Sequence, residues 1–416
     1  MTAIFPDMVP AIAPERLPQL IDIVRWIVAA GNVGRSERGL TEGLANLLVE
    51  AGIPVHRISM GSNVLDPVLQ SRSYVWTAET GTEPMRFERG LRQSENWLKS
   101  TLYWMMSNEQ SRLRVPLDSA RANDFPLLVS FRERGYTDYY ARLEAYGERA
   151  QASGARGLMA TFTSRDPAGF SDEHLAFLDA VLPAFALAFL ARLNTRILAR
   201  ALSTYLGKTP AERVLKGEIT RGQGQTVDAI VWMSDLSGFT KTADALPRED
   251  ILEFLNAHAE IVSDAIEAHG GEVLKFIGDG ILAVFPRANA QSWAASQALD
   301  AAIRVQVAAK IMANQRREQD KPSAEIIISL HRGDVLFGNF GSQDRLDFTA
   351  LGSAVNEASR ICSLAKTLDQ KLLVSDDFKE VLPPGDDRLV SVGRYALRGV
   401  ADPKHLYTLD RAVVRV

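Results

Sequence analysis

The chain has 416 residues, 46% hydrophobic and 24% charged, with 47 basic against 51 acidic side chains and a formal net charge of −4. These values exclude a disordered or fibrous polypeptide, fit two globular domains better than one, and give no electrostatic pull toward nucleic acid or an anionic membrane surface. The single cysteine, Cys362, can form neither an internal disulfide nor a zinc ribbon, which suits a reducing compartment and makes the cytoplasm the expected location.

The opening MTAIFPDMVPAIAPERL carries Asp7 and prolines where a signal peptide needs basic residues followed by an apolar core, so export is not expected. Residues 16–30 and 40–51 read as helices. VHRIS at Val55, SYVW at Ser73, LRVPL at Leu113, LLVSF at Leu127 and RGLMATF at Arg156 read as short strands, which makes the first half α+β. Its histidines, His56 and His174, are too few and too separated for haem and read as surface or packing residues. Ser171 and Asp172 cap a last element in which Leu182, Phe185, Phe189, Leu193 and Ile197 recur at spacings of three and four. That stripe fits either a helix folded back on its own domain or a connecting helix in a dimer. A bilayer span needs about 20 apolar residues. The strongest candidate, residues 180–191, is uncharged for only 12 and is interrupted by Pro183, so no membrane span is expected.

KGEITRGQGQ, residues 216–225, is a glycine-spaced polar stretch and is placed as the linker. After it VDAIVWMSD reads as an apolar strand, and GFTKTADAL opens a helix. A longer helix follows between Pro247 and the Gly270–Gly271 pair, with Ile251, Leu255, His258, Val262 and Ile266 on one face. No second ligand lies one turn from His258, so it reads as a buried or interface histidine. EVLKFIGDGILAVF is a hairpin signal around Gly278, Asp279 and Gly280. It puts Lys275 on the face of Val273 and Ile277, either reaching past its neighbours to water or facing a ligand.

Asp235 also ends an apolar strand, and pairing of the two strands would bring Asp235 and Asp279 to one sheet edge. Paired carboxylates there would hold Mg²⁺ together with substrate phosphates. The helix opening at Gly238 and Phe239 would aim its free N–H groups at a phosphate. Downstream, RLDFTALGSAVNEASRI gives a strand, a glycine-marked helix start, and Asn356 and Arg360 four apart as a donor fork on one face.

SDLSGFT, LKFIGDG and TALGSAVNEASR occur in the order found in class III nucleotidyl cyclase catalytic domains, and residues 227–409 resemble that family. The 44-residue gap between Asp235 and Asp279 suits its two metal ligands. The order of elements in the first half resembles a GAF-type sensor domain, without the cysteine to which bilin-type members attach their pigment. These resemblances imply an α+β protein in three segments: a GAF-like domain over residues 1–180, a connecting helix and linker over 181–225, and a cyclase domain with a ferredoxin-like palm and an antiparallel-rich sheet over 226–416. They imply two Mg²⁺ or Mn²⁺ ions per active site on Asp235 and Asp279, with the Leu236 carbonyl as a further ligand. Lys275 and Thr349 would read the base, and Gly238, Phe239 and Thr240 would meet phosphate. Asn356 would orient the ribose, Arg360 the α-phosphate, and Arg398 the outer phosphates. Threonine at position 349, where aspartate is common, matches subclass IIIb, and Lys275 argues for ATP because guanylate-forming members use glutamate and cysteine at these two positions. The family draws the aspartates and the Asn/Arg pair of one site from different protomers, which implies a homodimer. The first half would answer to a small-molecule or ion effector. The alternatives are a guanylate cyclase and a pseudo-cyclase that binds nucleotide without turnover.

Overall fold

The computed structural model describes residues 12–64, 69–88, 94–147, 156–287, 293–410 and 413. The chain divides between Ala201 and Leu202 into two compact units.

The first unit begins with helices α1 (Leu17–Asn32) and α2 (Glu37–Glu50), the latter capped by the Ser36 side chain, which accepts from the Gly39 N–H. Then come β1 (Arg57–Asn63), β2 (Leu69–Thr77), β3 (Gly81–Glu88), the short α3 (Glu95–Leu98) and α4 (Thr101–Ser107), β4 (Arg112–Pro116), α5 (Pro126–Glu133), β5 (Asp138–Ala145), β6 (Gly157–Ser164) and the long α6 (Asp172–Leu206). The six strands form one antiparallel sheet in the order β3-β2-β1-β6-β5-β4. One face packs on α1, α2 and α6 through residues such as Ile27, Leu44, Phe162 and Phe185. The other packs on α4 and α5 through Met105, Leu128 and Phe131. This α+β arrangement is compatible with a GAF-like fold.

Two expectations change here, and one open choice is decided. LLVSF at Leu127 is part of helix α5, not a strand: Pro126 sits in its first turn, and Leu128 and Phe131, three apart, face the core while Leu127 is exposed. Pro183 lies inside α6 and does not interrupt it, so the helix runs 35 residues. An 18-residue window of α6 has mean hydropathy 1.9, long and apolar enough to cross a membrane by length and composition, although 56% of that window is buried within the protein. The stripe of Leu182, Phe185, Phe189, Leu193 and Ile197 is core of the first unit and is not left open for a partner helix.

The second unit contains α7 (Lys208–Leu215), β7 (Gly224–Leu236), α8 (Phe239–Ala245), α9 (Arg248–Ala268), β8 (Glu272–Ile277), β9 (Gly280–Pro286), α10 (Ala294–Glu318), β10 (Ile326–Gly341), β11 (Leu346–Leu351), α11 (Ser353–Thr367), β12 (Leu372–Ser375), α12 (Asp376–Lys379), β13 (Leu389–Tyr395) and β14 (Lys404–Leu409). Its sheet runs β13-β14-β12-β10-β7-β9-β8, with β11 paired to the outer half of β10. β10 and β12 are parallel, as the crossover through α11 requires, and the other pairs are antiparallel. Helices α9 and α10 cover one face around Trp232, Phe254 and Phe285. β11 and α11 cover the other, burying Ala354, Ala358 and Ile361.

A bulge at Leu274 overturns the expected facing of Lys275. Val273 lies opposite Ala283 and Lys275 opposite Leu282, so one extra residue in β8 turns Lys275 to the sheet face opposite Val273.

Candidate active site

Strand β7 places Asp235 one residue from its end, and its neighbour β9 begins just after Asp279, with Ser234 opposite Ile281. The two aspartates therefore meet. Glycine at 280 permits the close approach, because a Cβ there would stand 3.0 Å from the Ser234 carbonyl oxygen and 3.2 Å from that of Ile277. The Leu236 N–H donates to Asp235 Oδ1 at 2.8 Å and to Asp279 Oδ2 at 3.3 Å. Lys366, from α11, donates to Asp235 Oδ2 at 2.6 Å. Burial pushes the Asp235 carboxyl up, but hydrogen bonds from Asp279 and Lys366 outweigh it and hold the group below the usual aspartate range. Burial and then the neighbouring Asp235 push the Asp279 carboxyl up. Two converging carboxylates with one ammonium already drawn to them form a donor set that fits a hard divalent cation.

A cavity of about 230 Å³ opens beside the pair, lined by Leu252, Leu255, His258 and Phe276 as well as both aspartates. His258 is buried, its Nδ1–H donating to the Phe254 carbonyl at 2.7 Å. Gly238 caps α8 in the left-handed region at φ 71°, Phe239 stacks on Phe254 at 6.0 Å, and Thr240 is exposed.

The remaining sequence-derived residues stand elsewhere. Lys275 is bonded to Asp347, which lies two residues before Thr349 on β11 and hence on the same strand face. Lys275 and Thr349 are thus brought near one another by an acceptor that the sequence reading missed; an acidic residue in phase with Thr349 was its only signal. Asn356 is exposed on α11. Arg360, one turn on, has Nη1 buried without a hydrogen-bond partner, 2.8 Å from where a Cβ on Gly399 would sit. Arg398, next to Gly399, is exposed. None of Lys275, Thr349, Asn356, Arg360 and Arg398 lines the cavity beside the aspartates. Lys366 was the second residue missed; nothing local marks it, because its partner lies 131 positions away.

His331, Glu357 and Asp377 also cluster, with possible ligand atoms within 4.8 Å of one another. Lys404 already supplies the cation there, at 2.7 Å from Asp377 and 3.3 Å from Glu357. This network anchors α11 through Glu357, the neighbour of Asn356.

Residues 223–411 match the family model described as the adenylate and guanylate cyclase catalytic domain. Over 179 residues the chain is 33% identical to an uncharacterized protein of Mycobacterium tuberculosis, covering 43% of this chain and 31% of that one. Over 159 residues it is 33% identical to an adenylate cyclase of Anabaena cylindrica, covering 37% and 31%. The chain spans about a third of the length of these curated relatives. The second unit carries a class III adenylyl/guanylyl cyclase catalytic domain. Among solved structures it is similar to the adenylyl cyclase CyaB from P. aeruginosa, at 27% identity, 45% coverage of this chain, 96% of that chain and a TM-score of 0.41.

Proposed function

We propose that the protein is an adenylate cyclase that converts ATP to 3′,5′-cyclic AMP and pyrophosphate at the interface of a homodimer, under control of its first unit. The observation that carries this reading is the convergence of Asp235 and Asp279 on the Leu236 N–H, at the ends of neighbouring strands. Asp235, Asp279 and the Leu236 carbonyl would hold two Mg²⁺ or Mn²⁺ ions, which when bound lower the pKa of the ribose hydroxyl and neutralise phosphate charge. Gly238, Phe239 and Thr240 face the phosphates from the start of α8. Asn356 fixes the ribose so that its 3′ oxygen lies in line with the α-phosphorus. Arg360 meets the charge that grows as pyrophosphate leaves, and Arg398 adds to the field on the outer phosphates.

A two-chain site is supported by helix geometry. Lys366 ties its end of α11 to Asp235. Arg360, six residues earlier, stands about 9 Å up the axis and about 120° around it, and Asn356 about 15 Å up and about 80° around. The fork is therefore turned away from its own aspartates, which is what a site completed by a second copy would require. ATP is supported by Lys275, a pure donor suited to an adenine ring nitrogen, with Thr349 on the same strand face as its partner Asp347. Asp347 favours GTP as a second reading, since a carboxylate can accept from the guanine edge. A cytoplasmic location belongs to the same proposal and is supported by the sole thiol, Cys362, being buried.

The test is the full chain with Mn²⁺ and either ATP or GTP, with cyclic product resolved by chromatography. Cyclic AMP that is lost on Asp235→Asn upholds the proposal. Cyclic GMP that is lost on Asp347→Ala establishes the second reading, and no product with either nucleotide makes the domain a binding module.

A further inference from the structure

The first unit holds a cavity of about 510 Å³ at the edge of its sheet, where among the described residues β4 pairs only with β5. The size falls in the range of small-molecule sites. Arg112 and Arg114 of β4 line it, with Trp104 of α4, Arg121, and the first turns of α6.

Charge in this cavity is unevenly matched. Register places Arg112 directly opposite Arg142 and Arg114 opposite Tyr140, and like charges facing across a ladder repel. Arg142 is compensated by Glu144 at 3.2 Å and Asp179 at 3.3 Å. Asp179 is further engaged by the Tyr140 hydroxyl at 2.6 Å. Arg114 is held by Asp138 through Nε at 3.1 Å and Nη2 at 2.9 Å, and it lies 3.7 Å from the exposed Asp172. Each acid is therefore taken. Among the described residues the exposed Arg112 side chain has no hydrogen bond or ion pair and acts on Asp179 and Tyr140 through its charge alone, and the Arg121 side chain has only the Trp104 ring, 4.6 Å from its guanidinium carbon to the centroid.

Two exposed guanidinium groups, neither hydrogen-bonded to an acid, flank an aromatic face. A guanidinium fork matches a carboxylate with two parallel hydrogen bonds, and a ring–guanidinium pair offers a shelf for a further ring. Asp172 and Asp179 also line the space, which favours a monoanion over a doubly charged phosphate. We propose that this cavity is a ligand site of the first unit and that it takes a small aromatic carboxylate, its anion gripped by Arg112 and its ring set against Trp104 and Arg121. The proposal does not depend on the cyclase reading, because none of its residues belongs to the second unit.

The test uses the full-length protein and three probes: indole-3-acetate, its neutral isostere indole-3-acetamide, and inorganic phosphate, each followed by thermal melting and by calorimetric titration. Indole-3-acetate should raise the melting temperature with concentration, by mass action on the native state. The amide should bind roughly tenfold more weakly or worse, having lost a charge-assisted pair, and phosphate should leave the melting temperature unmoved. Arg112→Gln should melt no lower than wild type without probe, since it removes one of two facing cations, and should lose the response to the acid. Arg121→Gln should weaken both indoles. Equal binding of acid and amide, a shift by phosphate, no shift by the acid up to about 10 mM, well past a millimolar Kd, or an Arg112→Gln protein that binds the acid as wild type does would each overturn the proposal.

Discussion

The two-chain site makes a quantitative prediction about mixed variants. Asp235→Ala removes a metal ligand, and Arg360→Ala removes a transition-state donor, a loss of roughly a hundredfold or more by analogy with single electrostatic donors. Each variant alone should be nearly inactive, and neither should unfold. The Asp235–Lys366 pair is about one-third exposed on each side, so its loss costs at most about 1 kcal/mol. Arg360 donates no hydrogen bond from its buried Nη1, so its truncation leaves no acceptor stranded. When the two variants are mixed and subunits exchange, about half of the dimers pair unlike chains. In each such dimer one site carries both lesions and the other neither. Activity should therefore return to roughly a quarter of wild type, rising as exchange proceeds, in an assay of cyclic nucleotide against time with tagged chains reporting heterodimers. If tagged pull-down shows heterodimers and activity stays at the level of the separate variants, each site is built within one chain and the argument from the turn of α11 is wrong.

Thr349→Ala should change the ATP to GTP preference by roughly fivefold with turnover nearly intact, the net worth of one hydroxyl contact at about 1 kcal/mol, and an unchanged ratio would remove Thr349 from base recognition. The Asp279 carboxyl is raised by burial and by Asp235, and its protonated form is a poor metal ligand. Mn²⁺ affinity should therefore fall as pH drops through a value above the free aspartate range of about 4, and a titration that weakens only below that range would contradict the assignment. Control by the first unit predicts that deleting Ser203, beyond the buried Ile197, changes basal activity sharply, because everything after it rotates by about 100°; unchanged activity would sever the coupling.

The sequence and the structure part company where a local pattern carries two meanings. LLVSF is five residues of apolar and β-branched character, too short for its period to separate a strand from a helical turn; Pro126 settles it as a helix start. β5, DYYARLEA, carries no strand signal in the sequence because an inner strand with both faces covered shows no clean alternation, and its first five residues are all buried. Pro183 has the pattern of a breaker, since an interior proline costs a helix about 3 kcal/mol, and the helix runs on because burial of Val181, Leu182, Phe185 and Ala186 around it offsets that cost. By contrast, the carboxylate pair was legible. Strand ends are marked by the switch from apolar to polar residues, and the hairpin that Gly278 and Gly280 announce pairs β8 with β9, although the pairing of β7 with β9 is a long-range contact that no local pattern marks.

Lys275 and Lys366 show why the second half of such a site is harder to read than the first. Asp235 near the end of β7 and Asp279 just before β9 are both marked in the sequence by the edge of an apolar run. A lysine within a strand depends on phase, and the bulge at Leu274 reverses it. Lys366 depends on neither phase nor neighbours in sequence, only on where α11 crosses the sheet. Its position nevertheless has a physical logic. Two carboxyl groups this close repel when both are ionised, and the single Leu236 N–H shared between them is a small offset. The ammonium of Lys366 supplies the balancing charge and so keeps Asp235 ionised beside Asp279. A divalent cation on the same oxygens does that work with twice the charge, so the contact that holds the pair together is also the one a metal would displace.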